Sequence, residues 1–373
     1  MTRRPPLKLL FLLATAALFS AMCIFLFNTR GPTLGTNRKV KEWYVSRFLL
    51  SGKHMVPPDH LDEAELRWSM ATQLTERPGL AVMASSHGLL ITRKTLPIPG
   101  LLNFSISGAS MAEHWVTTEL LRKRGVLPKV MLVYVDPWFF YEKIDWGLWH
   151  TRAEDLVAYE TRLCFQDQRL KRTFGPRFSQ ERKNSLRNLY SMDLLLSYLD
   201  DIYGHLPFNA HEVANPDEAA FTVLCSDGGL QLNTERWKEN GPPSRTLALR
   251  QFTMNIDPHR YGSFDVFDEN LWNLFLAWLR DCRAQGCEIW IVFSPYNPVI
   301  YKEIVANPLN KLHMIETRTR QAAKDMGAKC FGAYDPAVQG FTEENFSDGD
   351  HLNGVGVAKL LAPAEAEWRE KRR

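Results

Sequence analysis

Residues 9–27 contain no charged side chain; they are built from Leu, Phe, Ala, Ile and Met, interrupted only by Thr15, Ser20 and Cys23. A helix needs roughly 20 apolar residues to cross the hydrocarbon of a bilayer. Arg3, Arg4 and Lys8 precede the run on a very short tail, and the positive-inside bias keeps such a tail in the cytoplasm. The expected layout is a cytoplasmic tail at 1–8, a transmembrane helix at 9–27, and everything after it outside. The chain thus reads as a single-pass protein of the inner (cytoplasmic) membrane with a periplasmic or equivalent C-terminal domain. A cleaved signal peptide, or acylation at Cys23, is the rival reading. Met22 stands before Cys23 where a small residue is needed, and the apolar run continues to Phe27, longer than a usual signal core.

Charge narrows the partners. Residues 1–41 hold seven basic side chains and no acidic one, leaving 38 basic against 42 acidic in the remainder, a formal charge of −4. That near-neutral balance argues against nucleic acid. Arg38, Lys39 and Lys41 read as a basic collar beside lipid headgroups, within a linker and lead-in at 28–75 that runs through Gly31, Pro32, Gly35 and Pro57-Pro58. Five cysteines lie beyond Cys23, at 164, 225, 282, 287 and 330. Being odd in number, they leave at least one unpaired. Cys282 and Cys287 read equally as a bridge or as buried thiols.

The rest of the sequence, 76–373, alternates apolar runs with helical periodicity. Strands are expected at 80–84, 103–107, 129–135, 288–293 and 329–334, and helices at 111–124, 269–285 and 299–326, with a last helix near the C-terminus. Such alternation implies an α/β fold with a parallel sheet. Between Trp138 and about Arg260 no strand stands out, so 139–260 is expected to be a helical insertion, with one helix at 184–203.

In a parallel sheet, ligands bind beyond the carboxyl ends of the strands. Those ends supply Ser85, Ser86 and His87, then Gly108, then Asp136 and Trp138, then Tyr296 and Asn297; the loop 346–354 adds Asp348, Asp350 and His351. Acyl chemistry on a hydroxyl needs a base, a carboxylate that orients the base, and N–H donors for the oxyanion. Ser86 is the candidate nucleophile, His351 the base and Asp348 the orienter, with the N–H groups of Ser86 and Gly108 facing the oxyanion. His87, Asp136, Trp138 and Tyr296 are candidate substrate-binding residues. Taken singly each has a bland reading: Ser86 as a helix cap, Asp-Gly-Asp-His as an ordinary loop, and Trp138 with its aromatic neighbours 139–141 as core rather than a sugar platform. Next to Ser86, His87 is expected to point away from it. Asp350 has no second ligand at recognisable spacing, and no metal is assigned.

These residues resemble the SGNH hydrolases, whose first block is a Ser turn after strand one, here Ala84-Ser85-Ser86, and whose last is DxxH, here Asp348 to His351. Within that superfamily the chain resembles membrane-anchored extracytoplasmic members, such as the D-alanyl-lipoteichoic-acid transfer and alginate O-acetylation proteins. The segments 104–110, 136–138 and 294–296 look like later strand ends of such proteins. The resemblance covers roughly 78–138 and 286–360. It implies a flavodoxin-like three-layer sandwich, no cofactor, and a Ser-His-Asp esterase or O-acyltransferase acting on a cell-envelope glycopolymer beside a membrane-bound O-acyltransferase. The alternative is a non-catalytic scaffold of the same fold. Two positions depart from the family pattern: Ala84 replaces a Gly, and Asp136 replaces the Asn of the oxyanion hole. A missing donor there is worth about 2.7–4 kcal/mol.

Overall fold

The structure, a computed structural model, describes residues 36–58, 61–141, 148–174, 211–232 and 258–371. The run 9–27 and the helix expected at 184–203 lie outside them. Among the described residues no helix is long and apolar enough to cross a membrane.

Five parallel strands form the main sheet. They are β2 (Leu80–Met83), β3 (Leu101–Asn103), β4 (Val130–Tyr134), β8 (Glu288–Phe293) and β9 (Lys329–Gly332), in the order β3-β2-β4-β8-β9. The chain starts in the interior at β2, steps outward to β3, then crosses back to β4. That reversal between β2 and β4 opens a crevice at their carboxyl ends. Period-two alternation buries both faces. Ala81, Met83, Met131, Val133, Ile289 and Ile291 join one core. Their neighbours Leu80, Val82, Leu132, Trp290 and Val292 join the other.

The first core is covered by α2 (Glu63–Gln73), α3 (Met111–Lys123), α5 (Glu269–Ala284) and α7 (Leu312–Met326). The second is covered by α8 (Gly354–Glu370) through Val357, Leu360, Leu361 and Ala364. Helix α3 begins where Ser110 caps Ala112 and Glu113 reaches back to the Ser110 N–H at 2.7 Å, a complete capping box. Helix α5 is started by Asp268, which accepts from the N–H groups of Asn270 and Leu271.

Several expectations need correction. The stretch 28–75 is not merely a linker, because α1 (Thr36–Leu50) and α2 lie within it. Val45 and Leu49 of α1 and Leu66, Trp68 and Met70 of α2 are fully buried in the first core. Lys41 of the proposed collar lies 3.8 Å from Glu42 of its own helix. The insertion is not purely helical: besides α4 (Ala153–Gln166) it carries β5 (Glu212–Val213), β6 (Val223–Leu224) and β7 (Leu230–Gln231). These pair antiparallel with β1 (His54–Met55) in the order β5-β1-β6-β7. Two-residue strands are too short to show a period. The long helix expected at 299–326 is two helices, α6 (Pro298–Ala306) and α7. Pro308 cannot donate a helical N–H, and the side chains of Asn307 and Asn310 instead accept from the N–H groups of Leu309 and Leu312. Strand β3 ends at Asn103 rather than running from there to Ser107, yet the N–H groups of Phe104 and Ile106 still donate to Val82 and Ala84. All five cysteines among the described residues are free thiols.

Candidate active site

The turn after β2 is tight because of what surrounds it. A one-turn 3-10 helix, Ser86–Gly88, starts at Ser85, whose side chain caps the His87 N–H. Only glycine fits at 88, since a Cβ there would lie 2.4 Å from the Ala84 Cβ and 2.5 Å from the Ser105 Oγ. Asn103, at the end of the neighbouring β3, holds the turn from the side. Its Nδ2 donates to the carbonyls of Gly88 and Ile91, each at 2.8 Å, and its Oδ1 accepts the Ser105 N–H. The β6-β7 segment closes over the following loop, with the Leu230 N–H on the Leu89 carbonyl and the Arg93 N–H on Asp227. Ser86 is thereby fixed at the carboxyl end of β2, half-buried.

The loop before α8 is fixed as firmly. A bridge pairs Phe346 with Leu352, the Ser347 N–H donates to the His351 carbonyl, and Asn353 caps α8 through the Gly356 N–H. Within this loop Asp348 Oδ1 accepts the N–H groups of Asp350 at 3.0 Å and His351 at 2.7 Å. The same carboxylate meets His351 Nδ1 at 2.9 Å. The other ring nitrogen, Nε2, lies 2.7 Å from Ser86 Oγ. Ser86, His351 and Asp348 are therefore in hydrogen-bonded sequence, although 265 residues separate the first two.

A second carboxylate that the sequence pattern did not single out for this role joins them. Asp350 Oδ1 is 3.1 Å from His351 Nδ1, and Arg260 Nη2 lies 3.5 Å from Asp350 Oδ2. Burial disfavours the charged imidazole, but Asp350 and Asp348 outweigh it and raise the His351 pKa to about 10. Nothing in the composition around Arg260 marks it, whereas the spacing of Asp350 inside the DxxH loop is a usable signal.

The remaining candidates fall in different places. Ser86 opens its 3-10 turn, so its N–H has no partner within the turn. Gly108 has φ +68° and open space where a side chain would stand. Neither N–H donates a hydrogen bond among the described residues. His87 does not point away from the site. Its Nδ1 is 2.9 Å from Asp136 Oδ1 and 3.3 Å from Ser85 Oγ, and its ring centre is 5.2 Å from that of His351. Asp136 is thus committed to His87. Trp138 is buried and its Nε1 donates to the Ala109 carbonyl at 2.9 Å, so it anchors the turn after Gly108. Phe139, Phe140 and Tyr141 are core residues. Tyr296 is buried with its ring 6.4 Å from that of His87.

Orphaned polar atoms gather at this edge. His87 Nε2, Ser105 Oγ, Asp136 Oδ2, Ser294 Oγ and Asn297 Nδ2 are buried without partners among the described residues, and they follow β2, β3, β4 and β8. Buried polar atoms left unpaired are costly, and these five follow the carboxyl ends of four of the five strands. Among the described residues His87, Asp350 and His351 bring ligand atoms within 4.8 Å of one another. A metal there would displace His351 from Ser86 or from its carboxylates, and it is not assigned. Compared with known protein families the chain matches none, and no curated protein matches it either.

Proposed function

We propose that this chain is an SGNH-type serine esterase or O-acyltransferase with a flavodoxin-like three-layer fold. It is anchored in the inner membrane by residues 9–27 and acts in the periplasm on acyl groups of a cell-envelope glycopolymer, beside a membrane-bound O-acyltransferase. One observation carries the reading: Ser86 Oγ lies 2.7 Å from His351 Nε2 while Asp348 holds the opposite nitrogen. Partial exposure of Ser86 and His351 suits a substrate presented from solvent.

In the reaction, Ser86 Oγ attacks the acyl carbonyl carbon and gives its proton to His351 Nε2, while the carbonyl π pair moves to oxygen as an oxyanion. Collapse restores the carbonyl and expels the leaving alcohol, which takes the proton from His351. Water or a polymer hydroxyl then attacks the Ser86 ester, its proton passing to His351 and back to Ser86. Attack by water is hydrolysis; attack by a sugar hydroxyl is transfer.

A serine-directed fluorophosphonate tests the reading on the purified protein. Labelling of the wild type that disappears in Ser86→Ala and His351→Ala is the expected result. A wild type that stays unlabelled across pH and probe would leave the non-catalytic scaffold as the better description.

A further inference from the structure

Helix α1 has two faces, and the fold uses one of them. At 3.6 residues per turn Glu42, Val45, Ser46 and Leu49 share a side, and all four are fully buried where α1 packs on α2. The opposite side carries Trp43, Tyr44 and Arg47, all exposed, the two rings at 38 % and 54 %. Their ring centres are 5.1 Å apart, edge to face, and the Arg47 guanidinium stands 5.4 Å over the Trp43 ring. Single exposed aromatic residues are ordinary on a protein surface. Here two stand together beside a cation, on a helix that only residues 28–35 separate from the apolar run ending at Phe27. Trp and Tyr favour the boundary between hydrocarbon and headgroups, and basic side chains favour anionic lipid.

We propose that the Trp43, Tyr44 and Arg47 face of α1 docks into the headgroup region of the bilayer that residues 9–27 cross, holding the folded unit against the membrane. The proposal rests on the anchored reading above. A tether of residues 28–35 reaches roughly 30 Å at full extension. The lipid surface is therefore an intramolecular partner of this face, and a contact too weak to hold a free protein on a vesicle is sufficient. Charge agrees with a lipid partner. Between residues 28 and 58 the one acidic side chain is Glu42, against Arg30, Arg38, Lys39, Lys41, Arg47 and Lys53, and Glu42 is fully buried on the inner face. Docking also bears on the site. Glu42 accepts the Asp62 N–H at the start of α2, and Glu63 of α2 accepts the Ser107 N–H in the turn after β3. A docked α1 thus fixes how far the strand ends stand from the lipid, instead of leaving them to swing on the tether.

Trp43 is the first tryptophan in the chain, so the anchor itself contributes no tryptophan emission. The test reconstitutes the full chain in phosphatidylcholine–phosphatidylglycerol bilayers, with plain acyl chains or with chains brominated near the headgroup. Subtracting the emission of Trp43→Phe from that of wild type isolates the one ring. Its emission is expected to be quenched over brominated lipid and not over plain lipid. The same subtraction in a Tyr44→Ser/Arg47→Glu background should lose most of that quenching, and thermal unfolding verifies that these exposed substitutions keep the fold. Trp43 emission equally bright over both lipids overturns the proposal. So does quenching that the double substitution leaves unchanged, because proximity then comes from the tether alone. Alkaline carbonate extraction scores the anchor separately. A chain that leaves the membrane pellet takes the anchored reading down together with this proposal, whereas a chain that stays in the pellet while Trp43 is unquenched overturns the proposal alone.

Discussion

His351 holds Nε2 against Ser86 while two carboxylates crowd Nδ1. For the imidazole to take a proton it must be neutral, yet Asp350 and Asp348 raise its pKa to about 10 against the opposing effect of burial. The sign follows: the fraction of competent base grows as pH rises toward that value, so the rate of fluorophosphonate labelling is expected to climb from neutral pH into the alkaline range. Asp350→Asn removes the largest charge effect raising the pKa and should move the midpoint toward neutrality; an unmoved midpoint would assign the shift elsewhere. The same geometry sets what Asp348 is worth. Loss of a lone orienting carboxylate in a serine protease costs about 10⁴-fold in turnover. Here Asp350 stands 3.1 Å from the same nitrogen, so Asp348→Asn should cost less than that and the Asp348→Asn/Asp350→Asn pair more than either alone, as single-turnover labelling would measure. Ser86, Asp348 and His351 were legible because each sits at a strand end or in a short polar loop before a helix. The turned-back ring of His87 was not, since its direction is decided by Asp136, which is 49 residues away in sequence.

At the scale of the element, the nucleophile turn depends on two residues with no chemistry of their own. Gly88 allows Ala84 and Ser105 to close on the turn, and Gly88→Ala is expected to destabilise the protein by about 1–3 kcal/mol through overpacking. Asn103 ties β3 to the turn by two donated bonds and one accepted bond. Removing them in Asn103→Ala leaves the Ile91 carbonyl unpaired and the Gly88 carbonyl with the Ile91 N–H alone, and should cost about 1–3 kcal/mol. Urea unfolding measures both costs, and for Asn103→Ala the labelling rate should fall further than stability alone explains, because Ser86 loses its lateral support. Four strands and the helices α3 and α5 could be read from the chain because a buried parallel strand is a dense apolar run and an amphipathic helix has a period. Helices α1 and α2 escaped for the converse reason. They bury Glu42, Glu65 and Arg67 alongside apolar residues, which blurs the apolar stripe that marks a helix in sequence. Glu42 accepts the Asp62 N–H, and Arg67 donates to the Ser105 carbonyl. Only tertiary partners make these positions tolerable.

Over the whole molecule, the site is assembled from both ends of the fold, and the lead-in belongs to the structure that carries it. Helix α1 begins at Thr36 and buries Val45 and Leu49 in the core shared by α2 and the sheet. The proposed anchor at 9–27 lies before this helix in the sequence. Removing residues 1–35 should release the protein from the membrane fraction while melting temperature and Ser86 labelling stay close to those of the detergent-solubilised full chain. Removing residues 1–52 should lower both, because α2 loses the helix packed against it and the Asp62 N–H loses its acceptor Glu42. Fractionation, thermal unfolding and labelling of the two truncations test this together. If the shorter deletion already abolishes labelling, the anchor has a part in the site; if the longer one is harmless, α1 is an accessory to the membrane segment and not to the fold.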